Sequence, residues 1–198
     1  MRLRLLACAG LLCALPASGS NTLLAPPVVQ ALMSIDEVPS RTALDTAFGS
    51  QAAIDNLVTN GKDPMVDLGI ALPAIRALPA YCPPAPQICG LGTVHDQLAS
   101  LVDDLTTLHR PEDSLRLRAA IEALGATRSG LDADVTELIA LLGNESRDVR
   151  AAVVGAIRNI CSKAAIDLLS PHLFTEPSLQ VKFAITAALR DLAQCPGG

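Results

Sequence analysis

The chain has 198 residues, a formal net charge of −5, and 50% hydrophobic residues, most of them Ala, Leu, Val and Ile. An acidic chain repels phosphate backbones, and a single Tyr, three Phe and no Trp leave few rings on which bases or sugars could stack. Both features argue against nucleic-acid binding and a sugar-binding groove, while the length suffices for one domain with a real core.

Residues 1–19 read as a signal peptide for export. Arg2 and Arg4 form a positive start, residues 5–17 an apolar run too short to span a bilayer, and Ala17-Ser18-Gly19 the small residues a signal peptidase reads. Pro16 argues against a retained anchor. Cys8 follows Leu5-Leu6-Ala7 as a lipid-modified cysteine would, but almost no apolar run precedes it, and Cys13 follows Leu12 where a small residue is required. Without the leader the net charge is about −7. No later run is long and apolar enough for a transmembrane segment: the richest, residues 68–78, is interrupted by Pro73 and Arg76.

Residues 20–27 read as an extended arm, and residues 28–198 as one all-α domain. Its first expected helix covers 28–35. Ser40 caps a second over 41–48, ended by Gly49, and a third over 51–58 stops at Asn60-Gly61. A fourth, over 64–78, is kinked near Pro73. A Pro- and Gly-rich loop near 80–93 divides the array. Beyond it, 94–108 carries Leu98, Leu101, Val102 and Leu105 at helical spacing, with Thr93 as N-cap. Asp134 and Glu137 open a helix over 135–142, ended by Gly143, and Ser162 caps another over 164–173. Alternating apolar and polar runs are absent, so no strand is expected.

Each of the last three apolar helices is followed by a self-similar partner: Leu117-Arg118-Ala119-Ala120, Val149-Arg150-Ala151-Ala152 and Val181-Lys182-Phe183-Ala184. Arg118, Arg150 and Lys182 are spaced by one helical-hairpin period, and six residues before each stands a polar residue: Glu112, Asn144 and Glu176. Register is good between the last two copies and slips by one residue in the first. Pro111 and Pro177 fall where a first helical turn tolerates proline. The fold expected is a short α-solenoid of about four to five antiparallel hairpins, each sheltering the apolar face of the next.

Four cysteines follow the leader: Cys82, Cys89, Cys161 and Cys195. An even count in an exported chain points to disulfides, and three pairings are possible. Cys82 and Cys89 flank a short Pro-rich stretch; Cys161 and Cys195 each follow a helix end, one repeat apart, where they could staple adjacent hairpins. Zinc would need ribbon or finger spacing or a nearby His, and neither is present.

Asn144…Asp148-Val149-Arg150-Ala151-Ala152…Ala156-Ile157 resembles the second helix of a HEAT repeat, and the segments at Glu176 and Glu112 are similar, with Lys in place of Arg in the former. The chain as a whole resembles small exported bacterial HEAT-repeat proteins, including Val38-Pro39-Ser40-Arg41 before the first hairpins. The resemblance implies that acids and bases form a ladder tying repeat to repeat, through Glu112, Arg118, Arg150, Glu176 and Lys182, with a weaker rung at the uncharged Asn144. It also implies a binding or scaffold role with a protein or peptide partner, the HEAT fold itself saying little about function.

Catalytic chemistry finds no foothold. His95, His109 and His172 form no metal-ligand pair at helical spacing, and each reads as structural. Asp103-Asp104 reads as solvated surface, and Asp132 and Asp134 as serving a helix N-terminus. No serine stands in a nucleophile elbow, and Gly90-Leu91-Gly92 is no phosphate fingerprint. No catalytic, cofactor-binding or metal-ligating residues are expected, and HEAT-like lyases or glycosylases would need pocket aromatics with acids, or a basic groove. The expectation is an exported, non-catalytic protein-binding or scaffold module, periplasmic or extracellular, with a HEAT-like enzyme of lyase or glycosylase type or a structural envelope component as the alternatives.

Overall fold

Helices are the regular elements of this chain, and no strand occurs among the described residues. The computed structural model describes residues 26–33, 38–49, 52–83, 89, 92–108, 110–162 and 164–195. The expected leader, most of the arm, the interior of the Cys82–Cys89 loop and His109 lie outside them.

Among the described residues five hairpins follow one another. Helix α1 (Pro26–Leu32) pairs with α2 (Arg41–Phe48), α3 (Ala53–Lys62) with α4 (Leu68–Ala77), and α5 (Thr93–Thr106) with α6 (Pro111–Ala126). Then α7 (Asp132–Ala140) pairs with α8 (Arg147–Ile160), and the short α9 (Ala164–Leu169) and α10 (His172–Thr175) with α11 (Leu179–Leu192). The second helices stack in the order α4, α6, α8, α11, which places Arg118, Arg150 and Lys182 on successive members of one layer. The chain is thus an all-helical α-solenoid, its core a continuous seam of Leu, Ile, Val and Ala running from Val28 to Leu192.

Local chemistry explains most boundaries. Ser40 Oγ accepts from the Ala43 amide at 3.3 Å, and Gly49 ends α2 with φ of 81°. Helix α1 begins two residues earlier than expected, because Pro26 and Pro27 suit a first turn that needs no amide donors. Helix α3 runs through Asn60-Gly61. A Cβ on Gly61 would stand 2.5 Å from Ile75 Cγ1, so this glycine admits α4 at close range and ends nothing. Helix α4 starts only at Leu68, where Asp67 Oδ1 accepts from Gly69 N at 2.7 Å; Pro73 lies inside it, and a 3-10 turn, Leu78–Tyr81, follows. Gly92, not Thr93, is the N-cap of α5. The span 164–173 is two helices, with Pro171 between them unable to donate into a continuous ladder. Pro177 precedes the N-cap Ser178 of α11 and stays outside the helix.

Candidate functional site

The second-helix layer carries a groove of about 300 Å³, lined by Arg118 and Glu122 of α6, by Asp148, Ala151, Ala152, Gly155, Ala156 and Asn159 of α8, and by Gln180 of α11. Its floor exists because α6 and α8 touch backbone to backbone. A Cβ on Gly125 would lie 2.5 Å from Ala156 Cα and 2.7 Å from its Cβ. Gly155 is the opposite case: a Cβ there would meet nothing within 4 Å. The wall is ionic. Arg118 Nε donates to Glu122 Oε1 at 2.7 Å, and Arg76 of α4 reaches Glu122 Oε2 at 3.3 Å. Hydrogen bonding to Glu122 holds the Arg118 guanidinium above its usual pKa.

Below the groove, Arg150 ties two repeats together. Its Nε and Nη2 donate to Glu176 at 2.9 and 2.8 Å, and its Nη1 to the carbonyls of Asn144 and Glu145 at 2.8 and 3.0 Å. Both side chains are buried, and the Arg150 hydrogen bonds, opposed by burial, hold the Glu176 carboxyl below its usual pKa. Glu176 also accepts from the Ser178 amide at 2.8 Å, capping α11.

Residues 98–190 match the family model for HEAT repeats. That match and the stacked helical pairs together support a HEAT-repeat protein. No curated protein and no solved structure matches the chain.

Of the ladder positions that the resemblance implies, Arg150 and Glu176 join two repeats; the further ion pairs between repeats among the described residues, Lys62–Asp104, Arg76–Glu122 and Arg158–Asp191, lie at other, half-exposed positions. Aligning α6 with α8 by burial puts Leu117 in the place of Arg150 and Arg118 in the place of groove-lining Ala151, which is the one-residue slip seen in the sequence. Arg118 accordingly bonds within its own helix, to Glu122, and not across repeats. The absence is paired. Asn144, where the acid would stand, caps Ser146 N through Oδ1 at 2.9 Å, and opposite it no guanidinium is left buried without a counter-charge. Glu112 is half-exposed, 4.0 Å from Arg110; the buried acid of that turn is its neighbour Asp113, which Arg110 engages at 2.9 and 3.0 Å. Lys182 has no carboxylate within 4.0 Å among the described residues, although its charge helps lower Glu176.

Two buried features had no distinctive pattern in the sequence. Arg116, 1% exposed, sends Nη2 to the carbonyls of Val66 at 2.7 Å and Asp63 at 3.3 Å, closing the turn between α3 and α4. An arginine in a helix that also contains Arg118, just after Arg110, gives no sign that it is the buried one. The second feature is His95, 4% exposed, whose Nδ1 lies 3.0 Å from Asp96 and whose Nε2 lies 2.9 Å from Asp134 Oδ2. Ser129 Oγ donates to the same Asp134, and neighbouring Asp132 takes the Ser162 hydroxyl. Both acids lie in the first turn of α7, which begins three residues earlier than the sequence suggested, and their side chains pin it to α5 and to the start of α9. Burial pulls the His95 imidazole down, but hydrogen bonds and charge from Asp96 and Asp134 outweigh it, so the ring is held above its ordinary pKa.

Cys82 is bonded to Cys89, and Cys161 to Cys195, with Cα separations of 5.1 and 5.7 Å. The second bond joins the αL C-cap of α8, φ 64°, to the residues after α11, clamping the last repeat onto the one before it. His172 opens α10, and Asp104 of α5 pairs with Lys62 of α3 at 2.6 Å. No group of three or more His, Cys, Asp or Glu able to hold a metal occurs among the described residues.

Proposed function

We propose that this protein is an exported, non-catalytic binding module that receives a protein or peptide partner in the groove across α6 and α8. The observation that carries the reading is Gly155. A mid-helix glycine costs about 0.5–1 kcal/mol relative to alanine. Packing within the chain gives no return for it, since a side chain there would enter open space. A glycine at such a place leaves the helix backbone accessible to something approaching from outside. Ala151 and Ala152 extend the same low floor, and Arg118, Glu122, Asn159 and Gln180 around it offer donors and acceptors to an incoming chain. The two disulfides suit an oxidising compartment, and no helix among the described residues is long and apolar enough to cross a membrane.

A HEAT-like lyase or glycosylase would call for carboxylates and histidine converging in a cleft. His95, Asp134 and Ser129 do converge, but they are 4%, 3% and 4% exposed, and the serine donates to the carboxylate instead of to the imidazole. No base is aligned to activate that hydroxyl, and both ring nitrogens already face carboxylates. The cluster therefore supports a structural clamp more than an active site.

The test is affinity capture from envelope extracts with the native chain and with Gly155→Phe, which fills the groove from a position with no neighbour to clash. Species held by the native chain and lost with the variant support the reading. Identical capture by both, with unchanged helical content, overturns it.

A further inference from the structure

We infer that the groove is occupied by Phe183 of a second copy of this chain, in a two-fold dimer in which each copy offers one knob and one hole. The inference rests on the groove reading above and names its occupant.

The knob is conspicuous. Phe183 is 73% exposed on α11, and Leu179, one turn before it, is 70% exposed. A lone exposed leucine is ordinary, but a phenylalanine and a leucine at i and i+4 on one helix form a joined apolar surface. Phe183 holds in α11 the place that groove-lining Ala151 holds in α8, one repeat earlier. Knob and hole therefore project from the same face of the stack, side by side on adjacent helices.

That placement is self-complementary. A two-fold axis lying in the plane of contact, between α8 and α11 and running along them, turns the second copy to face the first and carries each Phe183 over the other copy's groove in a single operation. An isologous contact of this kind closes at two copies. The hole suits the knob: Ala151, Ala152, Gly155 and Ala156 make a small-residue floor, and an edge of an aromatic ring can reach the α8 backbone at Gly155. One charge complements the fit. Lys182, without a carboxylate within 4.0 Å among the described residues, stands beside the knob, and Asp148, an exposed acid whose partner is the equally exposed Arg147, stands at the rim of the hole. The hole's other acid, Glu122, is already shared by Arg118 and Arg76. The area is modest. Two phenylalanines of roughly 150–250 Å² each and two leucines fall short of the roughly 1,600 Å² of a standard interface, so the dimer is a weak, exchanging one.

Sedimentation velocity on the full chain from about 1 μM to about 1 mM, the span of weak complexes, tests this. The native chain is expected to pass from monomer to dimer, and Phe183→Ala and Gly155→Leu are each expected to remain monomeric, all three with the same helical circular dichroism. Mixing the two variants supplies a decisive arm. The Phe183→Ala copy keeps its hole and the Gly155→Leu copy keeps its knob, so the mixture recovers one of the two contacts and forms heterodimers that neither variant forms alone. A native chain that stays monomeric throughout overturns the inference, as does a dimer indifferent to both substitutions, assembly beyond two copies, or a mixture no more associated than its components. A monomer that nevertheless shows Gly155-dependent capture of another protein overturns the second copy as occupant while leaving the groove reading standing.

Discussion

Gly125 of α6, at the contact with α8, and Gly155 of α8, open to the groove, should respond to alanine in opposite directions. At Gly125 a methyl group would sit 2.5 Å from Ala156 Cα and 2.7 Å from Ala156 Cβ, inside the closest approach carbon atoms tolerate, and the obstacle is a helix backbone that no side-chain rotation can move. The helices must separate. Overpacking of this kind costs about 1–3 kcal/mol, and the upper half of that range applies because a backbone is displaced. Gly125 is one residue from the end of α6, so the helix-propensity gain of alanine is well below its full value of about 1 kcal/mol. The net expectation for Gly125→Ala is a loss of about 1.5–2.5 kcal/mol, a fall of roughly 4–8 °C in melting temperature for a domain of this size. At Gly155 the methyl group meets nothing, and the position is central in α8. Gly155→Ala should therefore stabilise by about 0.5–1 kcal/mol and raise the melting temperature by roughly 1–3 °C. Thermal unfolding followed by circular dichroism, with the disulfides intact, reads both. Two shifts of the same sign would refute the packing argument, and a destabilised Gly155→Ala would remove the reason for regarding that glycine as a binding feature.

Three further outcomes follow from the buried polar groups and the disulfides. Glu176→Ala strands Arg150 in a buried setting with only its two carbonyl partners, and should cost about 3 kcal/mol by urea unfolding; Arg118→Ala breaks a half-exposed pair and should cost about 0.5 kcal/mol or less, so equal losses would refute the ladder assignment. His95, raised above 6.5, contributes stability that is complete below that value and is lost as pH rises through its folded value. Unfolding free energy of the native chain should thus fall as pH rises above about 6.5 with a slope that His95→Gln abolishes, and a slope unchanged in the variant would contradict the clamp. Replacing Cys161 and Cys195 by serine opens a closure spanning 34 positions, worth about 4 kcal/mol by loop entropy, against about 2–3 kcal/mol for the 7-position closure at Cys82 and Cys89. The reverse order in melting temperature would show that the terminal repeat is held chiefly by its packing.

Much of the array is legible in the sequence because its signals are local. Ser40 and Gly49 mark both ends of α2, and the periodic Leu98, Leu101, Val102 and Leu105 announce the buried face of α5. Glycine proved ambiguous: Gly49 ends a helix, Gly61 and Gly125 admit a neighbouring helix, and Gly155 does neither. Only the atoms around each one separate these roles. The site was legible in part. The self-similar segments marked the layer that bears the groove, but the slip of one residue moved Arg118 from the ladder to the groove wall, and a register read by eye from charged residues follows the wrong atom when Leu117 takes the buried place.

What the sequence by itself determined is the hairpin and its repetition, since apolar periodicity, caps and breakers act within a dozen residues of one another. What only the tertiary structure decided is which charges meet. Arg150 and Glu176, His95 and Asp134, and Arg116 and Val66 come together across 26, 39 and 50 positions of chain. Pairing over such distances is set by how far successive hairpins are displaced when their apolar faces interlock, and side-chain volume at the seam, not local propensity, fixes that displacement.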